Sequence, residues 1–543
     1  MKYLVCQIDP IVGDIAGNIA IISNYIAIGE ANHCEVAIFP ELAICGYPPD
    51  DLLDYNYFID KCELAVLNLA KTIGKMHVIV GGVAKNNSNI GRKLFNAAFV
   101  LHEGKIKHTI YKTLLPTYDI FSEKRYFEPN QTFKLIEINQ KKIAITICED
   151  IWDNHNSFNY AISPVNELAK LMPDFHINIC ASPFYLGKDL ERVKVIKDSI
   201  SRMGCGMIYI NQSAAHTGIL FDGSSQIYNK QGDCVVKLPL FLEAHYIYDD
   251  EKVSKAFNEA IIDPTEGLYN ALVFGIRSYF DKMGFKKSAL LGSSGGIDSA
   301  VVQALASAAL GAENVLAVLM PSSFSSPGSI EDAAQLSNNL GNPSQILPIS
   351  SLYDNFLETL APIFKETTFS VAEENIQARS RGILLMAISN KTGRFLLNTS
   401  NKSEMAVGYT TLYGDMCGGL CPIGDVYKTV LYDLARFINR EKEIIPFSII
   451  NKQPSAELRP NQKDSDSLPE YPILDAVLNA YIEQKLGKDE IADLLKLDDA
   501  IIARVVNLVN NSEFKRWQAA PVIKITTKDF SYGRKMPLVS KYE

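Results

Sequence analysis

Three residues in the first half of the chain are of types that together cleave amides. Glu41 in IFPELAICGYP, Lys112 in TIYKTLLP and Cys148 in IAITICEDIW each follow a short apolar run. A thiol beside a carboxylate and an ammonium is a nucleophilic unit that needs no histidine. The carboxylate takes the thiol proton and passes it to the leaving group. The ammonium stabilises the thiolate and the oxyanion of the tetrahedral intermediate. Singly, each residue has a plainer reading: Cys148 as an ordinary buried thiol, Glu41 as a turn carboxylate, Lys112 as a surface charge. Spacing alone does not choose between them.

A second concentration of chemistry lies at LLGSSGGIDSAVV, residues 290–302, where an apolar run enters a glycine-rich turn and then a helix. Gly292, Gly295 and Gly296 let backbone N–H groups approach a phosphate, and the following helix presents its positive end. Ser294 and Ser299 can donate hydroxyls, and Asp298 can hold a magnesium ion bridging phosphates. The string lacks the lysine that ends the common ATP-binding loop, and glycines alone equally fit a tight strand-to-helix turn capped by Asp298. Further on, AEENIQARSRG (372–382) sets Asn375 and Arg379 four apart, on one helix face. LLNTSNKSEMAVGY (396–409) follows an apolar strand, so Thr399, Lys402 and Glu404 stand at a strand's carboxyl end, where ligands bind in such sheets. Lys402 suits a phosphate, and Glu404 suits magnesium or an amide-bearing ring.

The elements that must carry these residues change character along the chain. Up to about residue 245, EVAIFPE, HVIVGG, KKIAITICED, FHINICASP and GMIYINQS are β-branched runs ending in polar turns. Helical segments alternate with only some of them, which predicts a mixed sheet. Residues 246–263, YIYDDEKVSKAFNEAIID, are more charged and less strand-like and read as a connector. Pro264 opens a predicted helix that stops before Gly284. Beyond it the rhythm is strand, turn, long helix, the pattern of a parallel doubly wound sheet. The loop QPSAELRPNQKDSDSLPEYP separates that sheet from a final helical region.

Composition narrows the classes further. With 543 residues, 47% apolar and 21% charged, the chain can bury ample core. A net charge of -9 gives the bulk surface no reason to hold nucleic acid. No apolar run is long enough to cross a bilayer, and MKYLVCQIDP is too short an apolar start for a signal peptide, so no membrane association is expected and the cytoplasm is the default. Ten irregularly spaced cysteines fit reduced thiols better than a disulfide framework. Cys417 and Cys421 have no second pair or nearby histidine to make a zinc site. All eight histidines lie at or before His245, which excludes a Ser-His-Asp triad from the second half.

SSGGIDS resembles the pyrophosphate loop of the ATP pyrophosphatase ligases, which cut ATP between the α and β phosphates and adenylate a carboxylate. With AEENIQARSRG, LLNTSNKSEMAVGY, NKQPSAELRP and SEFKRWQAAP in that order, the chain after residue 265 is similar to the NAD synthetases. This resemblance implies that nicotinic acid adenine dinucleotide is adenylated and then attacked by ammonia. It implies that Gly292, Ser293, Ser294, Gly295, Gly296, Ile297, Asp298 and Ser299 bind ATP, with Thr399 also on ATP. Asn375, Glu404 and Lys515 would contact the dinucleotide, and Asp298 and Glu404 would hold Mg2+. KDFSYGRKMP has fewer arginines than that family's pattern, which leaves Arg534 without a role. FPE, YKTLLP and CED resemble the nitrilase superfamily across residues 1 to about 240. There RYFEP adds Glu128 as the lysine's assistant, and the glutaminase branch implies that Tyr118, Ser182 and Lys188 hold glutamine.

The combined resemblance is to the glutamine-dependent NAD synthetases. It implies an α/β chain with a nitrilase-like αββα sandwich at 1–245, the connector at 246–263, and at 264–543 a doubly wound parallel sheet of the Rossmann-like, adenine nucleotide α-hydrolase-like kind. One half would release ammonia and the other consume it, with ATP as co-substrate and a shielded passage against protonation. A homo-oligomer through the synthetase domain is implied by resemblance only. The loops 322–330 and 451–470 are expected to close over substrate. Open alternatives are another glutamine-dependent adenylating amidotransferase, an ammonia-only synthetase with an idle first half, and a nucleotide-binding regulator without turnover.

Overall fold

The computed structural model describes residues 1–88, 90–154, 160–252, 263–286 and 288–540. It divides into two compact units, Met1–Ile261 and Ile262–Glu543.

The first unit carries two six-stranded sheets. One has the order Ala244–Asp249, Lys2–Gln7, Val36–Ile38, His77–Lys85, Leu94–His102, Lys105–Tyr111, and the other Cys234–Lys237, Gln226–Tyr228, Gly206–Asn211, Phe175–Cys180, Lys141–Ile147, Ile136–Ile138. The inner strands run parallel and the flanking ones antiparallel. Alternation in the strands explains the layering. Tyr3, Val5, Ile38 and Ile79 share one buried cluster with Ile145, Ile177, Ile179 and Ile208, so the sheets pack face to face. The alternate residues Leu4, Cys6, Val78 and Val80 pack instead under the helices Ile15–Ala31 and Asn56–Thr72. The helix Lys188–Met203 covers the second sheet through Val195, Ile196 and Ile200. Each such fully buried aliphatic side chain contributes about 1.5–3 kcal/mol. Strands buried on both faces read as continuous apolar runs, which is why their sequence was so plain.

The expected connector starts too early. Ala244–Asp249 is an edge strand antiparallel to Lys2–Gln7, with Lys2 opposite Asp249. Tyr246 is exposed and Tyr248 buried, and the Met1 ammonium donates to Asp250 at 2.6 Å. An edge strand with one wet face carries charge and so lacks the apolar run of its neighbours. The remainder of the expected connector, 253–262, lies outside the described residues.

The second unit is built on a four-stranded parallel sheet, in the order Ser344–Ile346, Val315–Leu319, Ala289–Gly292, Phe395–Leu396. From Ala289–Gly292 the chain steps outward twice to one side and then returns to the other. The order therefore reverses at that strand, and a crevice opens at its carboxyl end. The helix Pro264–Met283 forms as predicted, with Asp263 accepting from Thr265 and Glu266 N–H groups and Gly284 at φ 69° closing it. Helices Ile297–Leu310 and Val371–Thr392 flank the sheet. Among the last helices, Tyr471–Leu478 and Asp499–Asn511 form a separate core with the short helix Lys402–Val407.

Candidate active sites

In the first unit, Lys141–Ile147 ends at Cys148, whose φ of 43° lies in the left-handed region. For a non-glycine residue that conformation costs about 1–3 kcal/mol and must be imposed by its surroundings. Asp150 imposes it: its carboxylate accepts from Ile147 N at 3.0 Å, and from Thr113 N and Leu114 N at 2.9 and 2.8 Å. One side chain therefore ties the nucleophile turn to the end of the Lys112 strand. Burial pushes Asp150 up to about 7. Glu41 follows Val36–Ile38 on a turn pressed against Gly81. A Cβ there would stand 2.4 Å from Leu42 N and from Pro40 O, so only glycine admits the turn.

These turns converge. Lys112 Nζ donates to Glu41 Oε1 and Glu123 Oε1, each at 2.7 Å, with all three side chains buried. Asn96 Nδ2 donates to Glu41 Oε1 at 2.6 Å and Ala181 N to Glu41 Oε2 at 2.9 Å. Burial alone would strip Lys112 of its proton, but Glu123 and Glu41 hold its pKa well above the ordinary. Burial pushes Glu123 up to about 7 against the pull of Lys112. The Cys148 thiol is pushed well above its usual value by contact with Cys180, by burial and by the Glu41 charge, with Lys112 opposing. The resting sulfur is thus held as a thiol, with the Glu41 and Lys112 charges acting on it in opposite directions.

Glu128 is not the lysine's partner. It accepts from Arg92 N at 2.7 Å, while Glu123 stands on Lys112. The string FSEKRYFEP holds both, and the 3-10 turn Glu123–Arg125 turns the first inward. Tyr118 OH donates to Glu149 at 3.0 Å and Tyr160 OH at 2.8 Å, and burial raises the Glu149 carboxyl. Lys188 Nζ lies 3.7 Å from the Trp152 ring centroid, and burial lowers it to about 8. Ser182 is buried, with its N–H on Asn211 Oδ1 at 2.8 Å. Tyr118 and Lys188 therefore both border the 148–152 turn. Glu123, Asp150, Glu149 and Tyr160 were not found by sequence reasoning, since none stands in a pattern of its own.

In the second unit the glycine-rich turn opens at the reversal of strand order, in a cleft of about 300 Å³. Gly295 has φ 75°, and a Cβ on it would stand 2.2 Å from Ser329 O. That close approach seats the helix Pro327–Leu340 against the turn. Ser294 N donates to Ser299 Oγ at 3.2 Å, and Ser293 Oγ to Gln303 Oε1 at 3.0 Å, so the loop is ordered by its own serines. Gly292, Ser293, Ser294, Gly296, Ile297, Asp298, Ser299, Thr399 and Glu404 all line the cleft.

Lys428 joins the two predicted metal ligands, donating to Asp298 Oδ2 at 2.6 Å and Glu404 Oε1 at 3.1 Å. Asn401 Nδ2 donates to Asp298 Oδ1 at 2.7 Å and caps the helix that carries Glu404. Burial pushes Glu404 up to about 8, against Lys428. Lys402 does not suit a phosphate: it is fully buried, 2.9 Å from both Asp425 and Glu483, with Thr526 Oγ1 at 2.6 Å. It holds the last segment of the chain to the helical core. Lys428, in GDVYKTVLYDL, is a cation that does line the cleft, together with Arg381 and Lys452, and its string offered no signal without the fold.

Asn375 and Lys515 do not line that cleft; they grip its rim. Asn375 accepts from Thr411 Oγ1 at 2.8 Å, Lys515 Nζ donates to Gly408 O and Thr410 O at 2.7 Å, and Arg379 Nε to Leu412 O at 3.2 Å. The segments 322–330 and 451–470 are clasped together: Ser329 Oγ donates to Glu457 Oε1 at 2.7 Å, and Lys452 Nζ to the same oxygen at 2.8 Å. Arg534 is ion-paired with Glu513. Among the described residues no group of three or more His, Cys, Asp or Glu could hold a metal ion, and no helix is long and apolar enough to cross a membrane.

Two buried centres thus define a class: a thiol amide-cleaving unit joined in one chain to a phosphate-binding parallel sheet. Family comparison divides the chain in the same way, matching Carbon-nitrogen hydrolase over residues 5–249 and NAD synthase over residues 268–519. Over nearly its full length the chain is similar to glutamine-dependent NAD(+) synthetases. It is 41% identical to that of a Synechocystis species (99% of this chain, 98% of the relative) and 36% identical to that of Thermotoga maritima (100% and 99%). The structure of glutamine-dependent NAD+ synthetase from Acinetobacter baumannii, in complex with adenosine diphosphate, is 35% identical and superposes with a TM-score of 0.79 over 99% of this chain and 98% of that one. The chain belongs to the glutamine-dependent NAD(+) synthetases.

Proposed function

We propose that this chain converts nicotinic acid adenine dinucleotide, ATP, glutamine and water into NAD, AMP, pyrophosphate and glutamate. The unit around Cys148 is the glutaminase, and the unit from about residue 264 is the synthetase. The observation that carries the reading is the buried Glu41–Lys112–Glu123 constellation around Cys148, in one chain with the SSGGIDS cleft.

In the glutaminase, Tyr118, Ser182 and Lys188 hold glutamine, and the Glu149 carboxylate beside Tyr118 suits its ammonium. Glu41 takes the Cys148 proton as the sulfur attacks the carboxamide carbon. Lys112 neutralises the oxyanion. Glu41 gives the proton to the departing ammonia and then activates the water that cleaves the thioester. Glu123 shares the charge of Lys112 with Glu41.

In the synthetase, the backbone and serines of 292–299 receive the phosphates of ATP, with Thr399 and Lys428 beside them. The rim held by Asn375 and Lys515 positions the dinucleotide, whose carboxylate is adenylated and then attacked by ammonia. Asp298 and Glu404 fit Mg2+: two hard carboxylates beside a phosphate loop are what that ion takes from protein when phosphate oxygens and water complete its shell. The ion would neutralise charge on the pyrophosphate leaving group. Lys428 already balances the same carboxylates. The free state of every cysteine described supports a reducing, cytoplasmic setting. The exposed Phe356, Ile363, Val371, Ile383 and Met386 on adjacent helices of the synthetase unit support a homo-oligomer through that unit.

The test is NAD formation by wild type and Cys148→Ala, each with glutamine or with ammonium at raised pH. The variant should fail with glutamine and work with ammonium. Failure of both proteins with ammonium would assign the synthetase to another acid, and a wild type that works only with ammonium would leave the first unit idle.

A further inference from the structure

The strands Lys141–Ile147 and Phe175–Cys180 run parallel with Ile147 opposite Ile179. Cys148, next after Ile147, therefore emerges beside Cys180 at the same end of the sheet. Neighbouring strands lie about 4.8 Å apart, inside the Cα separation a disulfide requires. Cys148 and Cys180 both sit in one buried cluster, and the neighbouring Cys180 thiol is the largest influence raising the Cys148 thiol. Cys180 donates its own proton to Asn178 Oδ1. Asn178 Nδ2 donates to Thr146 Oγ1 at 2.8 Å, and Thr146 Oγ1 meets His176 Nε2 at 2.7 Å. A buried polar chain thus fixes the second thiol next to the first, although amide hydrolysis uses only Cys148.

We propose that Cys180 is a resolving thiol, which forms a reversible disulfide with Cys148 when a peroxide oxidises the nucleophile. Cys148 sulfur attacks a peroxide oxygen, the O–O bond breaks, and the departing oxygen takes the thiol proton, leaving Cys148 as a sulfenic acid and water or an alcohol. Cys180 sulfur then attacks the Cys148 sulfur. The S–O bond breaks, and hydroxide leaves with the Cys180 proton as water. A dithiol returns both sulfurs to thiols by exchange. The disulfide removes the nucleophile without over-oxidation, so glutamine-driven synthesis stops while ammonium-driven synthesis continues. That effect on turnover rests on the proposed glutaminase role of Cys148; the disulfide itself rests on the geometry.

The full-length protein is treated with hydrogen peroxide, blocked with iodoacetamide and digested with trypsin without reduction. The expected product is the peptide 143–170 joined to the peptide 171–188, at their summed mass less two hydrogens, and it disappears on dithiothreitol treatment as glutamine-dependent activity returns. Cys180→Ser, and Cys180→Ala should the serine variant misfold, should instead carry Cys148 as sulfinic or sulfonic acid and stay inactive after dithiothreitol. Oxidised wild-type protein without the joined peptide overturns the proposal, whether Cys148 is over-oxidised or untouched, and so does full recovery of the Cys180 variants. If Cys148→Ala keeps its glutamine-dependent activity, the functional reading fails while the joined peptide still reports the disulfide.

Discussion

Glu123→Gln isolates the work of the second buried glutamate. The carboxylate accepts from Lys112 Nζ at 2.7 Å and from Tyr47 OH at 2.9 Å, and an amide oxygen can keep both bonds while losing the charge. A hydrogen bond to a charged group is worth about 1.5–3 kcal/mol and a neutral one about 0.5–1.5. The exchange therefore withdraws about 1 to 2 kcal/mol from the site, or about 5- to 30-fold in rate if it is felt in the transition state. The chemical route is specific: with Glu123 neutral, the whole charge of Lys112 falls on Glu41, which becomes a weaker base toward the Cys148 thiol. Above about pH 7, where Glu123 is charged, glutamine-dependent kcat should fall by that factor with KM nearly unchanged, while NAD formation from ammonium stays at the wild-type rate. Glu128→Gln, which alters only a bond to Arg92 N–H, serves as the control. A loss in Glu128→Gln with none in Glu123→Gln would refute the reasoning. The same variant carries a pH signature. The folded-state carboxyl is raised from 4.5 to about 7, so the folded chain holds a proton there that the unfolded chain releases. Its contribution to stability is full below about pH 4.5 and declines up to about pH 7. Glutamine at 123 removes that decline, so the Tm deficit of the variant should shrink from about pH 5 to about pH 8.

Asp150→Asn leaves one of three buried N–H donors without its acceptor, at a cost of about 1–3 kcal/mol. It should lower Tm and abolish glutamine hydrolysis together, with ammonium-driven synthesis retained at temperatures where the variant is folded. Gly295→Ala places a methyl against Ser329 O and should remove NAD synthesis from either nitrogen donor while glutamate release from glutamine persists. Lys402→Met breaks a fully buried ion network, which costs about 3–5 kcal/mol, and should appear as a loss of Tm. Lys428→Met, at the cleft, should instead raise the KM for ATP and lower kcat equally with both donors, as measured by pyrophosphate release.

What the sequence revealed and what it hid divide by range. The helix from Pro264 and the SSGGIDS turn were legible because their determinants are local: a proline, a cap, glycines and the run before them. Glu41, Lys112 and Cys148 were legible as strand-end residues; the runs before Glu41 and Cys148 are buried on both faces, whereas the strand before Lys112 is a half-exposed edge strand that ends in TIY. RYFEP pointed to Glu128 by resemblance, and nothing local marks Glu123 five residues earlier; a 3-10 turn and the Lys112 strand it meets bring Glu123 to the lysine instead. Lys402 was read as suiting a phosphate and Lys428 carried no reading, for a similar reason. One lies under the last segment of the chain and the other at the mouth of the sheet, and only the packing of distant helices says which. Strand Ala244–Asp249 was missed because an edge strand spends half its residues on water.

The ring of Glu41, Lys112 and Glu123 also sets what the thiol will accept. It is buried and already shares one ammonium between two carboxyl groups, so a ligand that carries its own negative charge is held less well beside it than a neutral one. A neutral alkylator such as iodoacetamide can enter as an amide substrate does, and the proton it displaces stays within the ring. Iodoacetate, of nearly the same size, must bring an anion into that pocket. The pair therefore reads the site's charge directly: Cys148 should be alkylated fast by the amide and slowly by the acid, and losing the charge at Glu123 should narrow the gap. The enclosure that makes glutamine a fit substrate thus screens electrophiles by charge before it screens them by shape.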